Sequence, residues 1–193
     1  TVQDARQLYA SLDRGRPRGQ NTVVQSHLLG SEEFTGFKAS HLNMLSHGLG
    51  IWLWEPQSKR QLHGGDDRSF LLLKDHHRVA IAVGTFIKNS KNADLKHLKK
   101  APVVGAMFET FAKAPQIAHE FWLAVRDGVG LSDKEDPRWV LREYLKNTSL
   151  AKTAATGDLK IVTQEEMYRA CVHAWNIHRA NRRIKHLRVA LSE

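Results

Sequence analysis

Apolar residues recur along most of this chain at spacings of three and four positions rather than at alternate positions. One such stripe contains Val104, Met107, Phe108 and Phe111. This spacing is the period of an amphipathic α-helix, whereas a half-buried strand alternates apolar and polar residues. The pattern therefore predicts a mainly α protein, folded as a compact bundle of six to eight helices.

Residues that start and stop helices locate the elements of the second half. Pro102 and Pro115 each suit the first turn of a helix, and Gly128 suits the position just after the second of these helices. Asp136 before Pro137 predicts an N-cap followed by a first-turn proline. The same apolar period predicts earlier helices over residues 2–12, 22–29, 42–53 and 69–88.

The last predicted helix begins with a capping box. Thr163 can accept a hydrogen bond from the first turn, and Glu166, three residues later, can reach back to the cap amide. The apolar face of this helix includes Cys171 and ends near Ile177. The preceding stretch, 148–163, loses periodicity and is predicted to be irregular.

Length and composition indicate one soluble globular domain. The chain has 193 residues, 41% hydrophobic and 25% charged, and it buries a core without help from disulfides or a structural metal. We expect one helical domain over residues 1–193, with one short C-terminal strand at Leu187 and Val189. The polar stretch 56–67 is the candidate internal boundary. A single cysteine and the lack of a long apolar stretch predict a cytoplasmic protein.

Charge gives the first indication of a partner. Lysine and arginine total 29 against 20 aspartate and glutamate, which gives a formal net charge of +9. This excess favours an anionic partner, and nucleic acid is the commonest one. The most basic linker is the stretch 88–100, with Lys88, Lys91, Lys96, Lys99 and Lys100 against Asp94 alone.

The densest positive charge lies near the C-terminus and contains no acidic residue. We call it the C-terminal cluster: Arg179, Arg182, Arg183, Lys185 and Arg188. Guanidinium groups match phosphate geometry, so one interpretation is a phosphate-contacting surface. The other is a solvated helix end whose cations complement the helix dipole. The sequence leaves both interpretations open.

A second basic run lies near the start of the chain, where Arg14, Arg16 and Arg18 surround Gly15 and Pro17. A loop of this kind can approach a nucleic-acid backbone closely, which makes these arginines candidate phosphate contacts. The alternative is a charged turn in which the preceding aspartate pairs with an arginine.

Motifs for catalysis, metal binding and cofactor binding are absent from the sequence. His63, Asp66, Asp67, His76 and His77 lie close together, but their spacing matches no known zinc pattern. Neither a nucleophile elbow nor a phosphate-binding glycine loop occurs. We therefore predict no catalytic residues, no metal and no cofactor. The remaining enzymatic alternative is a nuclease or nucleotidase whose catalytic acids are among Asp66, Asp67, Asp133 and Asp136.

Four short stretches, taken in order, resemble one known family. They are LDRGRPR (Leu12 to Arg18), Phe121 to Leu131, DPRWVLREYL (Asp136 to Leu145), and Ala174-Trp175-Asn176 before the basic C-terminus. Together they resemble the helical C-terminal region of phage- and plasmid-encoded ParB/sulfiredoxin-like proteins. The resemblance implies a DNA-associated role in a mobile element. The family's GQHR-type motif and strand-rich segment have no counterpart here, so either the chain is a fragment or the protein retains only the helical portion.

These observations lead to one functional expectation and one alternative. We expect a DNA-associated or nucleoprotein-binding module of a phage or plasmid, whose partner is nucleic acid bound without sequence specificity, or a nucleic-acid-binding protein complex. The alternative is a phage-encoded inhibitor that binds a host defence or nucleic-acid complex through its basic face. No membrane partner is expected, and the sequence makes no prediction of oligomeric state.

Overall fold

The computed structural model describes residues 31–53, 75–90, 98–150 and 160–187, and these residues are mainly helical. A short 3-10 helix over Glu32–Phe34 comes first, and two strands, β1 (Thr148–Ser149) and β2 (Lys160–Ile161), pair in parallel. The mainly α fold class is confirmed. The α-helices of the described residues are α1 (Ala39–Leu53), α2 (His77–Lys88), α3 (Ala101–Lys113), α4 (Pro115–Asp127), α5 (Pro137–Lys146) and α6 (Gln164–Arg179).

The predicted start and stop residues of α3 and α4 are confirmed. Pro102 and Pro115 both lie in the first turn of their helices. Backbone N–H groups have no partner within the helix there, so the N–H that proline lacks costs no hydrogen bond. Gly128 follows α4 with φ of 72° and donates its N–H to the carbonyl oxygen of Ala124. That left-handed conformation suits glycine, because other residues place a Cβ too close to the backbone.

The predicted caps of α5 and α6 are confirmed as well. The Asp136 side chain accepts a hydrogen bond from the backbone N–H of Arg138 at 2.8 Å. At α6, the Thr163 hydroxyl accepts from the backbone N–H of Glu166 at 3.1 Å, and the Glu166 carboxylate accepts from the backbone N–H of Thr163 at 2.6 Å. Each cap satisfies backbone donors that the first helical turn leaves unpaired.

Other predicted elements differ from the structure or fall outside it. The helix predicted over 69–88 begins only at His77, and the described residues just before it form a turn. The strand pair β1–β2 lies where the sequence predicted irregular structure, and Leu187 belongs to no strand. The predicted helices over 2–12 and 22–29, the boundary at 56–67 and Val189 lie outside the described residues.

The core surrounds α3, which is buried along nearly its whole length. Helices α1, α2, α4 and α6 all pack against it. The largest fully buried side chains include Phe108 on α3, Phe121 and Trp122 on α4, and Trp175 on α6. Burial of an aromatic side chain of this size stabilises a fold by about 2–3 kcal/mol, so this layer supplies much of the stability.

Helices α1 and α3 run in the same direction along a close contact. A Cβ on Gly48 would lie 2.4 Å from Cγ1 of Val104. The helices can pack this closely only because glycine has no side chain. Further along both helices, the Trp52 Nε1–H donates to Oε2 of Glu109 at 2.7 Å. Residue numbers rise together on the two helices, which means that the N-termini of α1 and α3 lie at the same end of the molecule.

Candidate nucleic-acid interface

The described part of the C-terminal cluster begins where α6 ends. The chain turns out of the helix through Asn181, which adopts φ of 51°. The Asn181 N–H donates to the His178 carbonyl at 3.0 Å, and the Arg182 N–H donates to the Ile177 carbonyl at 3.1 Å. This pair of bonds is a Schellman motif, which closes a helix with a left-handed residue. Asparagine tolerates the left-handed conformation better than most residues, so Asn181 was a helix-termination signal that the sequence analysis did not use.

Two members of the C-terminal cluster are paired with acidic residues of the loop between α4 and α5. Arg183 Nε lies 3.3 Å from Oδ2 of Asp133, and Lys185 Nζ lies 3.7 Å from Oε1 of Glu135. Between them, the Ile184 N–H donates to the Glu135 carbonyl at 2.9 Å. The basic run contains no acid in the sequence, but the fold supplies two from elsewhere, and the charge of the cluster is partly compensated.

The remaining described arginines of the cluster have no carboxylate partner among the described residues. The Arg179 guanidinium lies 6.0 Å from the ring centroid of Trp175, and Arg182 lies just beyond the end of α6; both are exposed. The helix dipole acts within the last turn, so it accounts for Arg179 alone and not for the cations that follow. Arg188 and the early loop with Arg14, Arg16 and Arg18 lie outside the described residues.

Three separate segments contribute a second group of cations. The sequence did not predict this group as a site. We call it the lysine cluster: Lys38, Lys88 and Lys99 around His41. Lys38 precedes α1, Lys88 is the last residue of α2, and Lys99 lies in the turn before α3; all three are exposed. The sequence signal for this group is the basic stretch 88–100, which contains Lys88 and Lys99 but gives no indication of Lys38.

Phe37 contacts both Lys88 and His41 and so links them. The Lys88 Nζ lies 5.5 Å from the Phe37 ring centroid, and the Phe37 ring meets the His41 ring edge-on at 6.4 Å. The backbone N–H of Lys38 donates to Nδ1 of His41 at 3.4 Å. The pKa of His41 is lowered, first by partial burial and then by the positive charges of Lys38, Lys99 and Lys88. All three charges therefore act on the same imidazole.

His178, beside the C-terminal cluster, lies among charges of both signs. Its ring packs on Phe121 at 5.3 Å, and the pKa of His178 is lowered by burial and by the charge of Arg138. Asp136 and Glu120 act in the opposite direction and raise it. The electrostatic environment here is mixed, whereas the charges of the described residues that shift the pKa of His41 are all positive.

The described residues contain no arrangement typical of an active site or metal centre. Burial raises the pKa of the Cys171 thiol, which lies fully inside the core, so it has little thiolate character. Among these residues no group of three or more His, Cys, Asp or Glu side chains could hold a metal ion. Of the nuclease candidates, Asp133 contacts Arg183 and Asp136 contacts Arg138, while Asp66 and Asp67 lie outside the described residues.

A cavity of about 510 Å³ opens between α2 and α4 and also offers no evident chemistry. Its charged lining residues are Glu120 and Arg126. The Arg126 guanidinium donates to both carboxylate oxygens of Asp127 at 2.6 Å and to the Ser90 hydroxyl at 2.8 Å. Each of the three guanidinium nitrogens of Arg126 thus already donates to a protein group. In the described part of the chain, no helix has the length and apolar character of a membrane span.

Comparison with protein-family models, with curated proteins and with solved structures finds no match for this chain. No relative therefore bears on the ParB-like resemblance, and the function has to be argued from the two basic regions themselves.

Proposed function

We propose that this protein binds nucleic acid, DNA above all, through non-specific contacts between backbone phosphates and its C-terminal cluster. The observation that carries the proposal is the pair Arg179 and Arg182, two exposed guanidinium groups at the end of α6 without a carboxylate partner among the described residues. A guanidinium group presents five N–H donors in a planar fork that matches a phosphate. The net charge of +9 adds a long-range attraction to any polyanion.

The paired cations of the cluster play a secondary part in this proposal. The side chains of Arg183 and Lys185 are 75% and 76% exposed, so their ion pairs with Asp133 and Glu135 are screened by water. Such pairs are worth about 0–1 kcal/mol, and a phosphate can replace the carboxylate at little cost. Arg188 and the early-loop arginines, Arg14, Arg16 and Arg18, stay predicted phosphate contacts.

A DNA-associated role in a mobile element agrees with the ParB-like resemblance, and the proposal does not depend on it. Contacts to phosphates fix a protein on a duplex but carry no sequence information. We therefore expect similar affinity for unrelated sequences and a strong dependence on salt, because each phosphate contact releases counterions.

The test is a salt titration of binding to a fluorescent DNA duplex, with R179A/R182A as the variant. We expect the slope of log affinity against log salt to flatten by up to about two units, since each contact contributes about 0.9. K113A/R169A is the matched control, because Lys113 and Arg169 pair with glutamates one helical turn away.

Two results would count against the proposal. If the unmodified protein fails to bind both duplex and single-stranded DNA at low salt, nucleic-acid binding is wrong, and a protein partner is the function to pursue. If R179A/R182A and K113A/R169A flatten the slope equally, the C-terminal cluster is not the interface and only the net charge matters.

A further inference from the structure

We infer that a second anion site, separate from the C-terminal cluster, lies where the starts of α1 and α3 meet the end of α2, at Lys38, Lys99 and Lys88, and that its ligand is a phosphate group. The phosphate can belong to a nucleic-acid backbone or to a free phosphate compound, which share the same chemistry. This inference goes beyond the proposed function, because none of these residues belongs to the C-terminal cluster and the site stands whether or not that cluster binds DNA.

The fold brings the three lysines together from positions far apart in the sequence. Parallel packing of α1 and α3 puts Lys38 and Lys99, which precede these helices, at the same end of the molecule. Helix α2 ends at Lys88 in the same place. Its Nζ lies 5.5 Å from the Phe37 centroid, and a Cβ on Gly36 would be only 3.0 Å from that nitrogen. Gly36, with φ of 78°, leaves space for the ammonium group.

The charges of the lysine cluster are not compensated by the described protein. None of the three ammonium groups has a carboxylate within ion-pair distance among the described residues. Elsewhere on the surface, cations are paired along their own helices: Lys113 with Glu109, Lys146 with Glu143, and Arg169 with Glu165.

Helix electrostatics do not explain why two of these lysines stand where they do. Lys38 and Lys99 lie at the starts of α1 and α3, where the positive end of the helix dipole disfavours a cation. The first turns of both helices also lack acidic residues. Lys88, at the end of α2, is favoured by its dipole. The arrangement therefore gathers positive charge at a cost, and a bound anion relieves that cost.

The donors present suit phosphate better than a carboxylate. Each ammonium group offers three N–H donors on a compact charge, and lysine is a regular phosphate ligand. Because Nδ1 of His41 accepts the backbone N–H of Lys38, the neutral imidazole carries its proton on Nε2, which is a fourth donor group. A doubly charged anion with several acceptor oxygens matches three cations and an N–H; a singly charged carboxylate leaves two cations uncompensated.

His41 also supplies the readout. Its pKa is lowered by partial burial and then by the three lysines. An anion bound among them offsets their charge and raises the pKa of His41 towards its ordinary value.

The experiment is an NMR titration of the His41 imidazole against pH, with and without inorganic pyrophosphate. We expect a saturable rise in the pKa of His41 on addition of pyrophosphate, and loss of that rise in K38Q/K88Q/K99Q. The matched control, K113Q/K146Q/R169Q, removes the same charge from paired positions and should keep the rise. Absence of a saturable rise in the unmodified protein, or an equal rise in both triple variants, overturns the site.

A short oligothymidylate distinguishes the two sources of phosphate. If it reproduces the His41 shift and competes with pyrophosphate, the site binds a nucleic-acid backbone; if pyrophosphate alone acts, the site takes a free phosphate compound. Both results support a phosphate site. Repeating the titration with R179A/R182A separates this inference from the proposed function, because that variant should lose DNA affinity and keep the pyrophosphate response.

Discussion

The C-terminal cluster is dense in the sequence and partly neutralised in the structure, whereas the lysine cluster is scattered in the sequence and concentrated in the structure. Arg183 and Lys185 each lie near a carboxylate of the loop before α5. At the lysine cluster, the three charges acting on His41 are all positive. Charge density along a chain is therefore a poor measure of the charge that a folded surface offers to a ligand.

The difference arises from which segments the fold brings together. The C-terminal cluster follows α6 out of a Schellman turn and lies along an acidic loop, so its neighbours have the opposite sign. The lysine cluster lies where two helices start and a third ends, and each of those segments contributes a lysine. Local sequence therefore determines the C-terminal cluster only in part, and it determines the lysine cluster hardly at all.

The largest expected effect is a loss of stability when a methyl group is added at Gly84, in the space that the Phe37 ring occupies. A Cβ on Gly84 would lie 2.4 Å from Cε1 of Phe37 and 3.1 Å from Cδ1 of Leu45. We expect G84A to reduce the free energy of unfolding by about 1–2 kcal/mol, because overpacking outweighs the helix propensity gained from alanine. Denaturant unfolding measures the change.

The same substitution tests the independence of the two basic regions. Displacing Phe37 removes the ring that positions Lys88 and His41, so G84A should also weaken the pyrophosphate response while DNA affinity through the C-terminal cluster persists. A double-mutant cycle with F37A checks the mechanism, since truncating the ring should cost less in the G84A background. Additive effects would show that the two positions do not interact.

A smaller effect is expected from neutralising the acidic loop. D133N/E135Q leaves Arg183 and Lys185 without their carboxylates and should steepen the salt slope of DNA binding by up to about two units. Stability should change by less than about 1 kcal/mol, as is usual for exposed pairs. Fluorescence anisotropy across a range of salt gives the slope, and thermal melting gives the stability.

The matched control for this prediction is E109Q/E165Q. It frees Lys113 and Arg169 and adds the same net charge at positions away from the proposed interface. Equal steepening by both double variants would mean that DNA responds to total charge and that the ion pairs of the C-terminal cluster have no local effect on binding.

Most of the helical fold was predictable because its signals are local. Pro102, Pro115, Asp136 and Thr163 act on the turn that contains them, so their meaning does not depend on the rest of the protein. The β1–β2 pair was missed for the opposite reason. Two residues on each strand are too few for any periodicity to register, and the pairing joins segments separated by a stretch without a regular pattern.

The candidate sites were predictable only where charge is contiguous. The C-terminal cluster is visible in the sequence, but its ion pairs depend on the position of the loop before α5. Lys38 is a single lysine next to Phe37, and nothing local associates it with Lys88 or Lys99. Parallel packing of α1 on α3 at Gly48 brings Lys38 near Lys99, and the end of α2 brings Lys88 to Phe37; apolar periodicity specifies neither contact.

The smallest expected effect is a dependence of stability on pH that differs between the two histidines. The pKa values of His41 and His178 are lowered in the folded protein from the ordinary histidine value of about 6.5. Near and below that pH, the unfolded chain therefore binds more protons at these two residues than the folded protein does. The contribution of these histidines to stability is therefore present well above pH 6.5 and is lost as pH falls through about 6.5 towards the folded-state pKa values. Unfolding measured between about pH 7.5 and 5.5 should show this decline, and H41Q and H178Q should each reduce it.

The lysine cluster makes a further distinction between the two histidines. Lys38, Lys88 and Lys99 add to the effect of burial at His41, whereas Asp136 and Glu120 oppose burial and Arg138 at His178. K38Q/K88Q/K99Q should accordingly raise the pKa of His41, make unfolding less sensitive to pH, and leave the NMR titration of His178 where it was. If the triple variant moves both imidazoles together, the two basic regions share one electrostatic field, and the contrast between a compensated and an uncompensated surface does not hold.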